Sequence, residues 1–112
     1  MHSRLSLICI WLLSTVLLLQ AQALDLSKPI YELDNLAIDR LLSETSQKNW
    51  TITERINFYS AKFLGMPYNL QCAGDGPYAL FEPWPLVNFR ETNCMVFCEH
   101  VLALAISDSW DN

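Results

Sequence analysis

The sequence predicts a mainly helical domain built from three helices and one long glycine- and proline-rich loop. Two apolar helical stripes, at residues 51–64 and 93–106, each follow a capping residue, and a weaker stripe covers residues 30–47. All three glycines and four of the five prolines fall within residues 65–85, which predicts a long loop between the last two helices. No segment alternates convincingly like a strand, so we expect the helices to pack against one another.

Residues 1–23 have the features of a secretory signal peptide. A basic start with Arg4 precedes an apolar run over residues 5–19, and an A-x-A pattern ends at Ala23. The run contains serine and threonine and is shorter than the roughly 20 residues of a spanning helix, so an uncleaved anchor is the weaker alternative. We therefore expect an exported protein, secreted or held in the periplasm or cell envelope, whose mature chain begins near Leu24.

The charge balance of the mature chain excludes some classes of partner. Cleavage removes Arg4 from the seven basic residues and leaves all twelve acidic residues. Such an acidic chain disfavours nucleic acid or an anionic membrane as a partner. A mature chain of about 90 residues suffices for one small core. We divide it into a helical segment and linker at residues 24–50 and a domain at residues 51–112.

The first two helices are predicted from periodicity and caps. Residues 30–47 carry apolar residues at helical spacing, with Asp34 as a candidate cap, and residues 43–49 are predicted to form a polar linker. Thr51 and Glu54 form a capping-box pattern at the start of the second helix. That helix should stop at Gly65, since Pro67 follows directly.

The third predicted helix begins with a cysteine. Thr92 or Asn93 is the candidate N-cap, which puts Cys94 in the first turn, where backbone N–H groups and the helix dipole favour a thiolate. The residues that follow are strongly apolar, so we expect this helix to be buried on most sides. Cys94 is then either one more small core residue or a nucleophile at the polar tip of a buried helix.

Three cysteines remain after the signal peptide and its Cys9 are removed. An odd number in an oxidising compartment leaves at least one thiol without an intramolecular partner. Cys94 and Cys98 lie one turn apart on the same helix, where a direct bridge would distort the backbone. If a disulfide forms, we expect it to join Cys72 to Cys98, which leaves Cys94 free.

His100 and the cysteines do not make a convincing zinc site. His100 follows Cys98 by two positions, about 200° around a helix, so the two side chains point apart. It follows Cys94 by six positions, about 9 Å along the axis, so it cannot serve as the base for that thiol. We expect no metal and assign His100 to a helix interface.

Two motifs resemble the N-acetylmuramoyl-L-alanine amidase-like branch of the NlpC/p60 cell-wall hydrolases. The chain has F-L-G-M-P-Y at residues 63–68 and N-F-R-E-T-N-C-M-V-F-C-E-H-V-L-A-L-A at residues 88–105. The family pattern is F-L-G-x-P-Y, a variable loop, and then N-x-R-x-x-D-C-T-T-F-V-E-x-V-L-A-L-A. The resemblance covers roughly residues 52–107, which is most of the mature chain. It implies the α+β papain-like fold, of which this chain carries only the mainly helical N-terminal part and lacks most of the sheet.

The resemblance also implies roles for particular residues. Cys94 is the nucleophile that attacks an amide carbonyl, and its backbone N–H helps to hold the oxyanion. Tyr68 lines the cleft beside it, and Asn93, at a position where the family has aspartate, is a second substrate-binding residue. Met95 and Val96 stand where the family has two threonines, which implies a more apolar pocket floor. Cys98 replaces a valine of the family pattern.

The implied reaction is hydrolysis of the amide between the muramic lactyl group and L-alanine in peptidoglycan fragments, without a cofactor. The family's base is a histidine on the sheet after the nucleophile helix, and the 112 residues end before it. We therefore expect this chain to be an inactive fragment. The alternative is a secreted, noncatalytic protein that binds muropeptides or a partner through residues 65–85. A small acidic inhibitor of a cell-wall enzyme is a weaker third reading.

Overall fold

The fold consists of helices connected by loops. The structure, a computed structural model, describes residues 25–74 and 84–111. Its regular elements there are a 3-10 turn at Ile30–Glu32 and the helices α1 (Asn35–Ser46), α2 (Ile52–Lys62) and α3 (Cys94–Ile106). None of the described helices is long and apolar enough to cross a membrane. The predicted signal peptide lies outside the described residues, as does much of the predicted loop.

Helix α1 is shorter at its start than its apolar pattern predicted. The pattern indicated one helix over residues 30–47, but Asp34 takes an extended backbone and its carboxylate accepts the Ala37 N–H at 2.8 Å. This is an N-cap, so the preceding turn is a separate element. The end of α1 includes residues 43–46, which we predicted to be linker. There the Ser46 hydroxyl donates to the Ser43 carbonyl at 2.8 Å.

Helix α2 begins and ends as predicted, to within two residues. The Glu54 N–H donates to the Thr51 hydroxyl at 3.3 Å, and the Thr51 N–H donates back to the Glu54 carboxylate at 2.8 Å. The bonds that the Thr51 backbone N–H and the Thr51 hydroxyl donate to the Glu54 carboxylate lower the pKa of Glu54 below its ordinary value. The chain leaves the helix at Gly65, whose φ of 83° is costly for any residue with a Cβ. A Cβ there would also lie 3.0 Å from the Tyr31 hydroxyl oxygen.

Helices α2 and α3 pack against each other, as their apolar faces predicted. The Phe63 ring, just beyond α2, lies 5.5 Å from the Phe97 ring and 6.2 Å from the Phe89 ring, both edge-to-face. Arg55 of α2 also donates a hydrogen bond to the carbonyl of Ser107, the residue directly after α3, at 3.1 Å. The buried core that results contains Ile30, Leu33, Ala37, Ile38, Leu41, Leu42, Tyr59, Phe63, Val101, Leu104 and Ala105.

A buried hydroxyl pair joins α1 to α2. Tyr59 is fully buried, and its hydroxyl lies 2.5 Å from the Thr45 hydroxyl. The Thr45 hydroxyl is also 2.9 Å from the carbonyl oxygens of Leu41 and Leu42. A hydroxyl has one proton, so Thr45 donates within α1 and accepts from Tyr59. Burial raises the pKa of Tyr59, which keeps its hydroxyl a neutral donor.

Helix α3 is less buried than we expected. Met95, Leu102 and Ile106 are 65%, 52% and 65% exposed, and together with the exposed Cys98 they form a stripe along one side of the helix. The prediction of burial on most sides is therefore wrong. Almost every position of α3 is apolar, so its sequence has too little polar contrast to indicate which side meets the core.

Candidate active site

Cys94 is the first residue of α3, and its thiol is free and exposed. The predicted position at the start of the helix is confirmed. The exposure contradicts the alternative that Cys94 is a small core residue. An accessible thiol at a helix N-terminus is suited to attack an electrophile, because the unpaired N–H groups of the first turn stabilise negative charge nearby.

Asn93 fixes the start of the helix through both atoms of its side-chain amide. Its oxygen accepts the Val96 N–H at 2.9 Å, which is an N-cap bond, and its nitrogen donates to the Leu70 carbonyl at 3.0 Å. An aspartate could cap the helix but could not donate to Leu70. Asn93 therefore connects the segment after α2 to the first turn of α3.

The segment that contains Tyr68 runs beside the residues that precede Cys94. Tyr68 and Thr92 form a parallel bridge, in which the Thr92 N–H donates to the Pro67 carbonyl and the Asn69 N–H donates to the Thr92 carbonyl, both at 2.9 Å. The Tyr68 side chain is exposed. The structure thus brings the backbones of both sequence motifs together. Tyr68 pairs with Thr92, and Cys94 follows Thr92 by two residues.

Asn88 organises the approach to α3, a role that we did not predict. Its side-chain nitrogen donates to the Cys72 carbonyl at 2.7 Å, and its oxygen accepts the N–H groups of Arg90 at 2.8 Å and Glu91 at 3.2 Å. Its backbone N–H donates to His100 Nε2 at 3.1 Å. Asparagine side chains often bond to backbone groups two or three residues later, so the bonds to Arg90 and Glu91 were predictable from the sequence. The contacts with Cys72 and His100 join residues that are distant in the sequence, and no local pattern indicates them.

Cys72 is not bonded to Cys98, contrary to the pairing that we favoured. Cys72 is buried, with 2% of its surface exposed, whereas Cys98 lies on the exposed side of α3, and both thiols are free. The sequence could not indicate that the two side chains occupy such different surroundings. Burial raises the pKa of the Cys72 thiol, which makes it the least reactive of the three described cysteines.

His100 is a buried interface residue, as predicted. It is 7% exposed, its ring meets the Phe89 ring edge-on at 5.1 Å, and its Nε2 accepts the Asn88 N–H. Burial lowers its pKa, although a hydrogen bond to the Val96 backbone and the nearby Glu99 charge oppose the shift. His100 is neutral, and its Nε2 already accepts the Asn88 N–H, so the ring serves as a structural hydrogen-bond acceptor. It does not provide a base for Cys94.

A cavity among the described residues lies away from Cys94. It has a volume of about 440 Å³ and borders the second half of α3, with walls that are mostly apolar. The residues that line it include Leu42, Leu86, Val87, Phe89, His100 and Trp110. We expected a cleft formed by residues 65–85. Residues 75–83 of that loop lie outside the described part of the chain.

Neither metal-ligand geometry nor known relatives identify the site. Among residues 25–74 and 84–111, no group of three or more histidine, cysteine, aspartate or glutamate side chains could hold a metal ion. Comparisons with protein-family models, with curated proteins and with solved structures each gave no match. The function is therefore inferred from the residues of this chain.

Exchanging the side-chain amide of Asn93 for a carboxylate should separate its two roles. Asn93→Asp keeps an oxygen to cap α3 but loses the N–H donor to Leu70, so we expect nearly unchanged stability and faster amide exchange at residues 69–72. Asn93→Ala should lose both bonds and about 1 kcal/mol of folding free energy. Hydrogen–deuterium exchange and urea denaturation measure the two effects.

The matched control for this pair is Asn57→Asp, which makes the same chemical change at an exposed position of α2. It should leave exchange at residues 69–72 unaltered. If Asn93→Asp also left exchange there unaltered, the Leu70 bond would have no positioning role.

Acidification should destabilise the fold through His100. Its pKa in the native state lies below the ordinary value of about 6.5, so below that value the unfolded state binds more protons and the unfolding free energy falls. The loss should begin near the ordinary pKa and be complete below the lowered one. His100→Gln, which keeps an acceptor for Asn88, should flatten this part of the stability curve. Urea denaturation between pH 7 and about pH 5 measures it, and parallel curves for the two proteins would contradict the assignment.

Proposed function

We propose that this chain carries the nucleophile half of a secreted cysteine amidase that acts on the N-acetylmuramoyl-L-alanine amide of peptidoglycan fragments. The observation that carries the proposal is the free, exposed Cys94 thiol at the first position of α3. The substrate class comes from the resemblance of residues 63–68 and 88–105 to the amidase-like cell-wall hydrolases. The bridge between Tyr68 and Thr92 supports the proposal, because it brings these two motifs side by side.

The geometry suits the first chemical step. In that step the Cys94 sulfur forms a bond to the amide carbon, and the carbonyl oxygen becomes an oxyanion. The first N–H groups of a helix have no partner within the helix, so the Cys94 N–H is available to that oxyanion. The C–N bond then breaks, and the amine of L-alanine leaves with a proton.

The second requirement is a proton donor for the leaving amine, and no histidine among the described residues meets it. The histidines of the 112 residues are His2 and His100, and His100 is a buried acceptor for Asn88. A positioned acid or base contributes about 10² to 10⁴ in rate. The resemblance implies a histidine on a sheet that follows the nucleophile helix, so we expect amidase turnover only when such a segment is supplied.

A noncatalytic binding function is the second candidate, and the 440 Å³ cavity favours it. Its volume lies within the range of small-ligand pockets, and its walls combine apolar side chains with the polar groups of Glu99 and Ser109. The cavity is lined neither by Cys94 nor by Tyr68. Binding there should therefore survive changes at both residues.

The amidase proposal is tested by joining the chain to the histidine-bearing sheet of a cell-wall cysteine amidase. We expect no release of L-alanine peptides from muropeptides by the unextended chain and measurable release by the fusion, because the added histidine can protonate the leaving amine. Chromatography of the products measures the release.

Two variants of the fusion serve as matched controls. Cys94→Ala should abolish release, and Cys98→Ser, one turn along the same face, should retain it. Release by the unextended chain, or release that survives Cys94→Ala, would overturn the proposal. Binding of muropeptide by the fusion with Cys94 intact, without any release, would favour the noncatalytic alternative.

A further inference from the structure

Three sulfur atoms are exposed together on the first two turns of α3. Cys94 and Cys98 are free, exposed thiols, and the side chain of Met95 between them is 65% exposed. Cys72, the other described cysteine, is buried elsewhere. No residue with a positively charged side chain occurs between Cys94 and the end of α3. The exposed start of α3 is therefore rich in sulfur, and α3 itself carries no lysine or arginine.

Helical geometry brings these sulfurs within reach of one ion. Side chains separated by three or four positions on a helix are neighbours, with Cβ atoms about 5–6 Å apart. Cys98 is four positions from Cys94 and three from Met95, so all three side chains project from one patch. A direct disulfide between the two cysteines would distort the helix, which favours their persistence as separate thiols.

We propose that Cys94, Met95 and Cys98 form a binding site for one Cu(I) ion, here called the sulfur patch. Thiolate and thioether ligands are soft and select Cu(I) over harder ions. Zinc fits less well, because structural zinc sites use four ligands and Cys94, Cys98 and Glu99 do not form a metal-binding group here. His100 cannot complete a zinc set, since it points away from Cys98 and is bonded to Asn88.

Binding of Cu(I) to the sulfur patch changes no oxidation state. Two Cu–S bonds form to thiolates, each thiol that is still protonated releases its proton to water, and the Met95 thioether adds a neutral donor. Two thiolates and one Cu(I) carry one net negative charge. That charge lies at the N-terminal end of α3, where the helix dipole stabilises anions.

Copper binding and catalysis would compete for the same sulfur. A Cu(I) ion on Cys94 leaves no thiolate to attack a carbonyl, so the sulfur patch would inhibit the proposed amidase. The site itself depends only on exposed sulfur atoms and stands whether or not Cys94 is a nucleophile.

The test is a competition between the reduced full chain and the Cu(I) chelator bicinchoninate under nitrogen, with native mass spectrometry to count the ions. We expect one Cu(I) per chain and loss of that binding in both Cys94→Ser and Cys98→Ser. The substituted positions are exposed, so the variants should fold, which circular dichroism checks. Cys72 remains in both variants and is the internal control for a thiol outside the patch.

The thioether has its own matched pair of variants. Met95→Leu should weaken competition against the chelator without abolishing it, whereas Met66→Leu, at a position outside the patch, should not change it. Failure of the wild type to compete, or equal binding by either serine variant, would overturn the site. Unchanged affinity in Met95→Leu would overturn the three-sulfur donor set.

Discussion

The described structure depends most on how the chain enters α3, and the Asn93 side chain controls that entry. Its amide oxygen caps the helix at the Val96 N–H, and its amide nitrogen holds the Leu70 carbonyl. The first bond allows the helix to begin at Cys94. The second fixes the segment after α2 beside it. Loss of either bond would loosen the position of the Cys94 turn relative to the segment after α2.

The caps and the packing of α2 on α3 were predictable because their causes are local or periodic. Thr51 and Glu54 are three residues apart, and the apolar positions that include Phe63 and Phe97 repeat at helical spacing. The exposed side of α3 was not predictable, since an almost uniformly apolar helix does not indicate which face meets its neighbours. The free state of Cys72 was missed for a related reason. Cys72 is buried and its carbonyl accepts from Asn88, sixteen residues away in the sequence, and the spacing of the cysteines indicates neither feature.

The site combines an accessible thiol with a histidine whose ring nitrogen is already used in a structural hydrogen bond. Cys94 is open to a substrate, whereas His100 is held among Phe89, Asn88 and the Val96 backbone, where burial keeps it neutral. The same helix thus presents an exposed thiol at its first residue and a structural acceptor six residues later. Cys98 adds a second thiol beside the first, which makes the tip of α3 suited to soft metal ions as well as to carbonyl carbon. These two chemistries compete for one sulfur atom.

The central claim is that Cys94 is a nucleophile that acts without help from His100. It is tested most directly with the p-nitrophenyl ester of N-acetylmuramic acid, whose leaving group departs without protonation and so requires only the attacking thiol. Intact-protein mass spectrometry and peptide mapping should find one muramoyl group on Cys94, at an unchanged level in His100→Gln. Acylation shared equally with Cys98, or no acylation of Cys94, would contradict the claim.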